Sequence, residues 1–206
     1  MANLLTLSRL LLLVVVARIF YLESDVLQLA NFFLIILMFA TDALDGYLAR
    51  KRNETSLFGA LFDIAGDRIV ELSLWIVAAD NDLVPIWVPL VFIARGVAVD
   101  TIRAGHAVAR GQTPFGLMRS KVGRFIVAGR FMRVFYAVIK ACAFCGLAAL
   151  RPLPELFPDV WAVIGWLWTW LTYASVYLSV LLCVVRGLPV IAEFVYAEKE
   201  SIVGSR

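Results

Sequence analysis

Charge is scarce in this chain. Only 17% of its 206 residues are Asp, Glu, Lys or Arg, while 62% are hydrophobic. A soluble domain carries about 25% charged and about 45–50% apolar residues. With so little charge, and a mean hydropathy of +0.87, no stretch is left for a soluble domain. The net charge of +3 is small, and the basic residues sit in short connections, which excludes a nucleic-acid-binding surface. There is one histidine, His106, and it has no partner nearby in sequence, so no catalytic role is expected of it. Three cysteines remain. Cys142 and Cys145 have the C-x-x-C spacing of a redox or zinc pair, but no further Cys or His lies close enough in sequence to complete a site. They read as two small buried residues one helical turn apart. Alternating strand patterns are absent too.

Long apolar runs are abundant. Stretches of roughly 18–25 residues, enough to span a bilayer, recur from end to end. Six helical spans are predicted, over 4–22, 27–49, 57–79, 85–104, 125–150 and 160–185. The first has no clear small-residue cleavage site after it and is followed by more spans, so it reads as a span and not as a signal peptide. The expected fold is an all-α integral membrane protein, one domain over residues 1–206. Basic residues set its orientation. Arg50, Lys51, Arg52, Arg110, Arg119, Lys121, Arg124 and Arg186 fall in alternate connections or after the last span. Glu23, Asp25, Asp80, Asp82, Glu155 and Asp159 fall in the others, with Arg151 among them. The chain is therefore expected to be N-in and C-in. Trp161, Trp166, Trp168 and Trp170 cluster at one end of the last span, as in an interfacial aromatic belt.

Against this apolar background, four aspartates stand out. A carboxylate at the centre of a membrane helix costs about 2.5–3.5 kcal/mol on insertion scales, so it needs a partner or a cavity. Asp42 and Asp45 lie at i and i+3 near the end of the second span, with Ala49 continuing their face. Gly59, Asp63 and Asp67 lie at i, i+4 and i+8 in the third. A short connection makes the two helices antiparallel neighbours. Four carboxylates at close range repel unless a cation sits among them, and oxygen-only donors select Mg²⁺, Mn²⁺ or Ca²⁺. Gly46, Ala49 and Gly59 leave room for a ligand beside the ions. A transporter using the same cluster as its ion site is the alternative from another class. It would need polar residues continuing across the membrane, yet Asn31–Ala40 is apolar almost throughout.

These residues fill the pattern D-x2-D-G-x2-A-R-x8-G-x3-D-x3-D with Asp42, Asp45, Gly46, Ala49, Arg50, Gly59, Asp63 and Asp67. The pattern resembles that of the CDP-alcohol phosphotransferase family. The resemblance implies a metal-dependent transferase that moves a phosphatidyl group from CDP-diacylglycerol to an alcohol and releases CMP. It implies two divalent cations, Mg²⁺ or Mn²⁺, on Asp42, Asp45, Asp63 and Asp67, with Asp67 as general base. It implies nucleotide contacts at Asp45, Gly46, Ala49, Arg50 and Gly59, a homodimer, and a bacterial inner membrane location with the site facing the cytoplasm. The run Asn3-x-x-Thr6-x-x-Arg9 looks like the start of phosphatidylglycerophosphate synthases and adds Asn3 and Thr6 to the nucleotide set. Arg95, Arg103 and Lys121 look like that subfamily's clamp for the phosphate of glycerol 3-phosphate; anchoring to anionic headgroups is their bland reading. Gly96 departs from that subfamily, which often has Glu there. Inositol phosphate, inositol and serine therefore stay open as acceptors. Glu71, one turn beyond Asp67, is expected to pair with an arginine from another span, such as Arg95 or Arg130, or else to shape the acceptor pocket. Arg133 and Lys140 share a face of the fifth span, where they line a polar cavity or snorkel.

Overall fold

The computed structural model describes residues 2–52, 57–110, 125, 127 and 129–204. The side chains of residues 2–4, 42–52, 57, 58, 60, 106–110, 130 and 197–204 are not among those described. Among the described residues the chain is helical nearly throughout and has no strand. In chain order the helices are α1 (Ala2–Phe20), α2 (Asp25–Arg52), α3 (Leu57–Asp80), α4 (Trp87–Arg110), α5 (Arg130–Ala149), α6 (Pro152–Leu156) and α7 (Pro158–Gly204).

The helix ends follow local chemistry. After α3, Asp82 adopts φ 57°, the left-handed region that short polar side chains tolerate best after glycine. The N–H of Leu83 then reaches the Ala78 carbonyl at 2.9 Å and that of Asp82 the Ala79 carbonyl at 3.1 Å. This is the 6→1 and 5→2 pair of a Schellman cap. The Asn81 amide donates to Val77 O at 2.9 Å, and Arg151 donates to Asn81 O at 2.7 Å, tying the segment after α5 to the end of α3. The proline-rich stretch after α5, expected as a plain connection, holds the single-turn helix α6. Pro152 at its first position costs no hydrogen bond, because the first N–H groups of a helix have no partner within it.

The last helix departs most from expectation. It does not stop at residue 185 but runs 47 residues, with Pro189 inside it, for about 70 Å at 1.5 Å per residue. The apolar run Leu188–Ile191 carries it past Arg186, and that arginine is buried, not in a connection.

The chain forms two compact units, each assembled from separated segments: residues 1–89 with 140–176, and residues 90–139 with 177–206. In the first unit α1 packs against both α2 and α3. Asn31, fully buried on α2, donates to Val16 O on α1 at 3.0 Å. Trp75 of α3, also fully buried, has its ring 4.4 Å from that of Phe144 on α5. Trp161 and Trp168 help line an apolar pocket of about 390 Å³, whereas Trp166 and Trp170 are exposed. The second unit has a small core of Val99, Val127 and Val190 with Ile102 against it.

Among the described residues two helical stretches are long and apolar enough to cross a membrane, Phe131–Ala149 and Pro158–Tyr196. They expose large apolar side chains such as Phe131, Val163 and Trp166, as a lipid-facing surface does and a water-facing one rarely does. Cys142 departs from its expected burial, being exposed on α5; Cys145 is half-buried, Cys183 buried, and all three thiols are free.

Candidate active site

The third helix presents the acidic stripe that its spacing predicts. Gly59 is half-buried, and Asp63 and Asp67 follow it one and two turns on, both about half exposed. Helix α1 lies against this stripe. The Nη2 of Arg9 donates to Asp63 Oδ1 at 3.2 Å and to Asp67 Oδ1 at 2.9 Å. The arginine is only 4% exposed, against 53% and 48% for the two carboxylates. One turn earlier on α1, buried Thr6 faces Gly66, between the two aspartates. A Cβ on Gly66 would come within 2.5 Å of Thr6 Cγ2. That glycine is what allows α1 and α3 to approach closely enough for Arg9 to span both carboxylates.

The stripe ends in a different kind of contact. Glu71, one turn past Asp67, is buried. It accepts from Lys140 Nζ of α5 at 2.8 Å and from Arg68 Nη1 at 3.3 Å. Pairing is thus the role found for Glu71. Among the described residues the cation from another helix is Lys140, where an arginine was expected; the Arg130 side chain lies outside them. Charges inside an apolar protein are tolerated when paired in this way.

The remaining predicted residues are placed unevenly. Asp42, Asp45, Gly46, Ala49 and Arg50 all lie on the C-terminal half of α2, and Asn3 lies in the first turn of α1. Their side chains, and Lys121 entirely, lie outside the described residues. Among the described residues no three potential ligands of the Asp, Glu, His or Cys type come together. The described half of the expected metal set still suits a hard cation. Asp63 and Asp67 supply oxygen donors only, on one helix face, and both stay about half exposed beside Arg9.

Arg95 and Arg103 belong to the second unit, as does a third arginine that no sequence motif singles out. Arg186 of α7 is 8% exposed. Its Nη2 donates to Val127 O at 3.1 Å, and its guanidinium sits 5.4 Å from the centre of the Tyr136 ring. Its Nε and Nη1, like the Nε of Arg95, are buried without a hydrogen-bond partner among the described residues. The positive charges of Arg95, Arg103 and Arg133 act on it from nearby. Gly187 leaves the space in which the Arg95 stem lies, since a Cβ there would meet Arg95 Cγ at 2.8 Å. Buried donors without acceptors, inside a group of like charges, have the chemistry that suits an anionic ligand. A Gly-flanked basic residue in an otherwise apolar helix was the available signal in the sequence.

Comparison with known proteins adds independent evidence. A CDP-diacylglycerol--glycerol-3-phosphate 3-phosphatidyltransferase of Rickettsia typhi is 30% identical over 112 residues, 54% of this chain and 63% of the relative. A protein of the same name from Bacillus subtilis is 37% identical over 78 residues, 38% of this chain and 40% of the relative. A cardiolipin synthase (CMP-forming) of Streptomyces coelicolor is 42% identical over 55 residues, 27% of this chain and 26% of the relative. The matched stretch thus spans about three fifths of the Rickettsia relative's length. Two of these are phosphatidyltransferases and one a CMP-forming synthase by name, and they lend no support to an ion-pathway reading of the aspartates. The profile of one family, CDP-alcohol phosphatidyltransferase, matches residues 1–185. With that match over most of its length, and with two helices fit to cross a membrane, the chain belongs to the CDP-alcohol phosphatidyltransferase family of membrane enzymes.

Proposed function

We propose that this protein transfers the phosphatidyl group of CDP-diacylglycerol to glycerol 3-phosphate and releases CMP. The observation that carries the reading is the acidic face of α3, Asp63 and Asp67 half exposed beside Arg9, within the family's full aspartate pattern. The names of the relatives support the donor and the acceptor. Asp42, Asp45, Asp63 and Asp67 would hold two divalent cations, Mg²⁺ or Mn²⁺. Bound there, the ions supply charge neutralisation for the donor pyrophosphate and for the departing CMP.

The other steps belong to the chain's own residues. Asp67 takes the proton of the acceptor hydroxyl as its oxygen bonds to the phosphatidyl phosphorus and the bond to CMP breaks. Asn3, Thr6, Asp45, Gly46, Ala49, Arg50 and Gly59 receive the nucleotide. Arg95, Arg103 and Lys121 bind the acceptor phosphate, and Arg186 joins them, since its two buried unpartnered nitrogens match phosphate oxygens. The proposal keeps a single domain of six spans, N-in and C-in in a bacterial inner membrane, working from the cytoplasmic face as a homodimer.

A panel assay tests this reading. Purified protein in micelles is given CDP-diacylglycerol and either glycerol 3-phosphate, inositol phosphate, inositol or serine. CMP release is expected with glycerol 3-phosphate, only with Mg²⁺ or Mn²⁺ present, and is expected to fall at least about a hundredfold in Asp67→Asn. Arg186→Met is expected to raise KM for glycerol 3-phosphate and leave that for CDP-diacylglycerol unchanged. Full activity of a folded Asp67→Asn variant would refute the mechanism, and turnover with another acceptor alone would refute the assignment.

A further inference from the structure

Asp63 and Asp67 are one helical turn apart, and like charges at that spacing destabilise a helix. In this structure the same nitrogen of one arginine bonds an oxygen of each, at 3.2 and 2.9 Å. The guanidinium is 4% exposed, so it reaches the carboxylates from the protein interior. The two carboxylates keep 53% and 48% of their surface exposed while bonded to it. A metal ion can therefore reach exposed carboxylate surface without Arg9 leaving, and it must then share the two carboxylates with a fixed positive charge. Buried Thr6 against Gly66 holds the helix that carries Arg9 in place, so the arginine has little freedom to withdraw.

We infer that Arg9 is a resident counter-cation of the metal site, one that keeps the carboxylates together before metal binds and limits how tightly metal is held. The inference rests on the metal reading above. Without metal, the positive charge offsets the repulsion between Asp63 and Asp67. With metal, it repels the ion, so the bound ions stay exchangeable. A merely orienting arginine would do the reverse, because its removal would scatter the ligands and weaken binding.

The test measures metal binding, not turnover. Mn²⁺ is titrated into the full-length protein in micelles, and free ion is followed by its paramagnetic resonance signal. Arg9→Gln keeps a hydrogen-bond donor and loses the charge; it is expected to bind Mn²⁺ about tenfold more tightly than the wild type, the scale of one unit charge near a divalent ion even with strong solvent screening. Arg9→Lys keeps the charge and is expected to bind with the wild-type affinity, which provides a second comparison if Arg9→Gln does not fold. In chelator Arg9→Gln is expected to unfold at a lower temperature than the wild type, with the gap narrowing at saturating Mn²⁺. Equal or weaker Mn²⁺ binding by Arg9→Gln overturns the inference and leaves the metal reading intact, as does a tenfold change in Arg9→Lys. A wild type that binds no Mn²⁺ overturns both.

Discussion

Glu71 offers the sharpest test of how the apolar protein tolerates charge. Its carboxylate is 10% exposed and, among the described residues, accepts from two cations, Lys140 at 2.8 Å with 17% exposure and Arg68 at 3.3 Å with 28%. Removing one member of a buried pair costs about 3–5 kcal/mol, because the survivor is left charged and poorly solvated. Glu71→Leu takes away the carboxylate to which both cations donate. Both keep some water contact, so the low end of that range applies, about 3 kcal/mol. Lys140→Met leaves Arg68 on the carboxylate, and the expected cost drops to about 1–2 kcal/mol. The double variant replaces the α3–α5 pair by apolar groups of similar size, which is often close to neutral. It should therefore cost less than the sum of the single changes by at least about 1 kcal/mol. Unfolding titrations of the four proteins in mixed micelles give all three quantities. If Lys140→Met proves as costly as Glu71→Leu, the argument that Arg68 shares the carboxylate is wrong. If the single effects simply add, the 2.8 Å contact carries no coupling energy.

Three further outcomes follow from close approaches and exposed charge. Gly66→Ala places a Cβ against Thr6 Cγ2; it should cost about 1–3 kcal/mol by overpacking and depress CMP release as Arg9 is displaced from the aspartates, and adding Thr6→Ser, which removes that methyl, should restore both. Gly187→Ala pushes on the Arg95 stem and should raise KM for glycerol 3-phosphate with no change for the lipid donor. The Tyr21 hydroxyl donates to Asp80 at 2.6 Å, and this hydrogen bond to a carboxylate, with burial and the Asp80 charge behind it, raises the phenol pKa above its ordinary 10.0. A raised folded-state pKa favours the protonated form, so its stabilisation is complete below pH 10 and is lost as pH climbs through the raised value. Wild type should lose more stability than Tyr21→Phe above pH 10, and phenolate absorbance should titrate later in the folded than in the unfolded protein.

What could be read from residue order was whatever a single helix determines. The stripe of Gly59, Asp63, Asp67 and Glu71 follows from 3.6 residues per turn, and α3 shows it where expected. The apolar runs likewise located most helices to within a few residues. Contacts between helices were another matter. Arg9 sits 54 and 58 positions from the carboxylates it bridges, and no local period points from one to the other. Its position in Asn3-x-x-Thr6-x-x-Arg9 marked it as part of a pattern without saying what it touches. Gly66 shows why: the approach of α1 to α3 depends on an absent side chain, and hydropathy does not register it. The same holds for Arg186, which was expected just past the end of the last span among the charges that set orientation, beside glycine and near proline, residues that commonly end a helix. The apolar residues beyond it outweighed both breakers, α7 continued, and the arginine became a buried donor with two nitrogens unspent. In each case the charge was visible in the sequence, and the glycine beside its partner decided what it could do. That is why the substitutions at Gly66 and Gly187, neither of which removes a charge, should disturb this protein's polar chemistry most selectively.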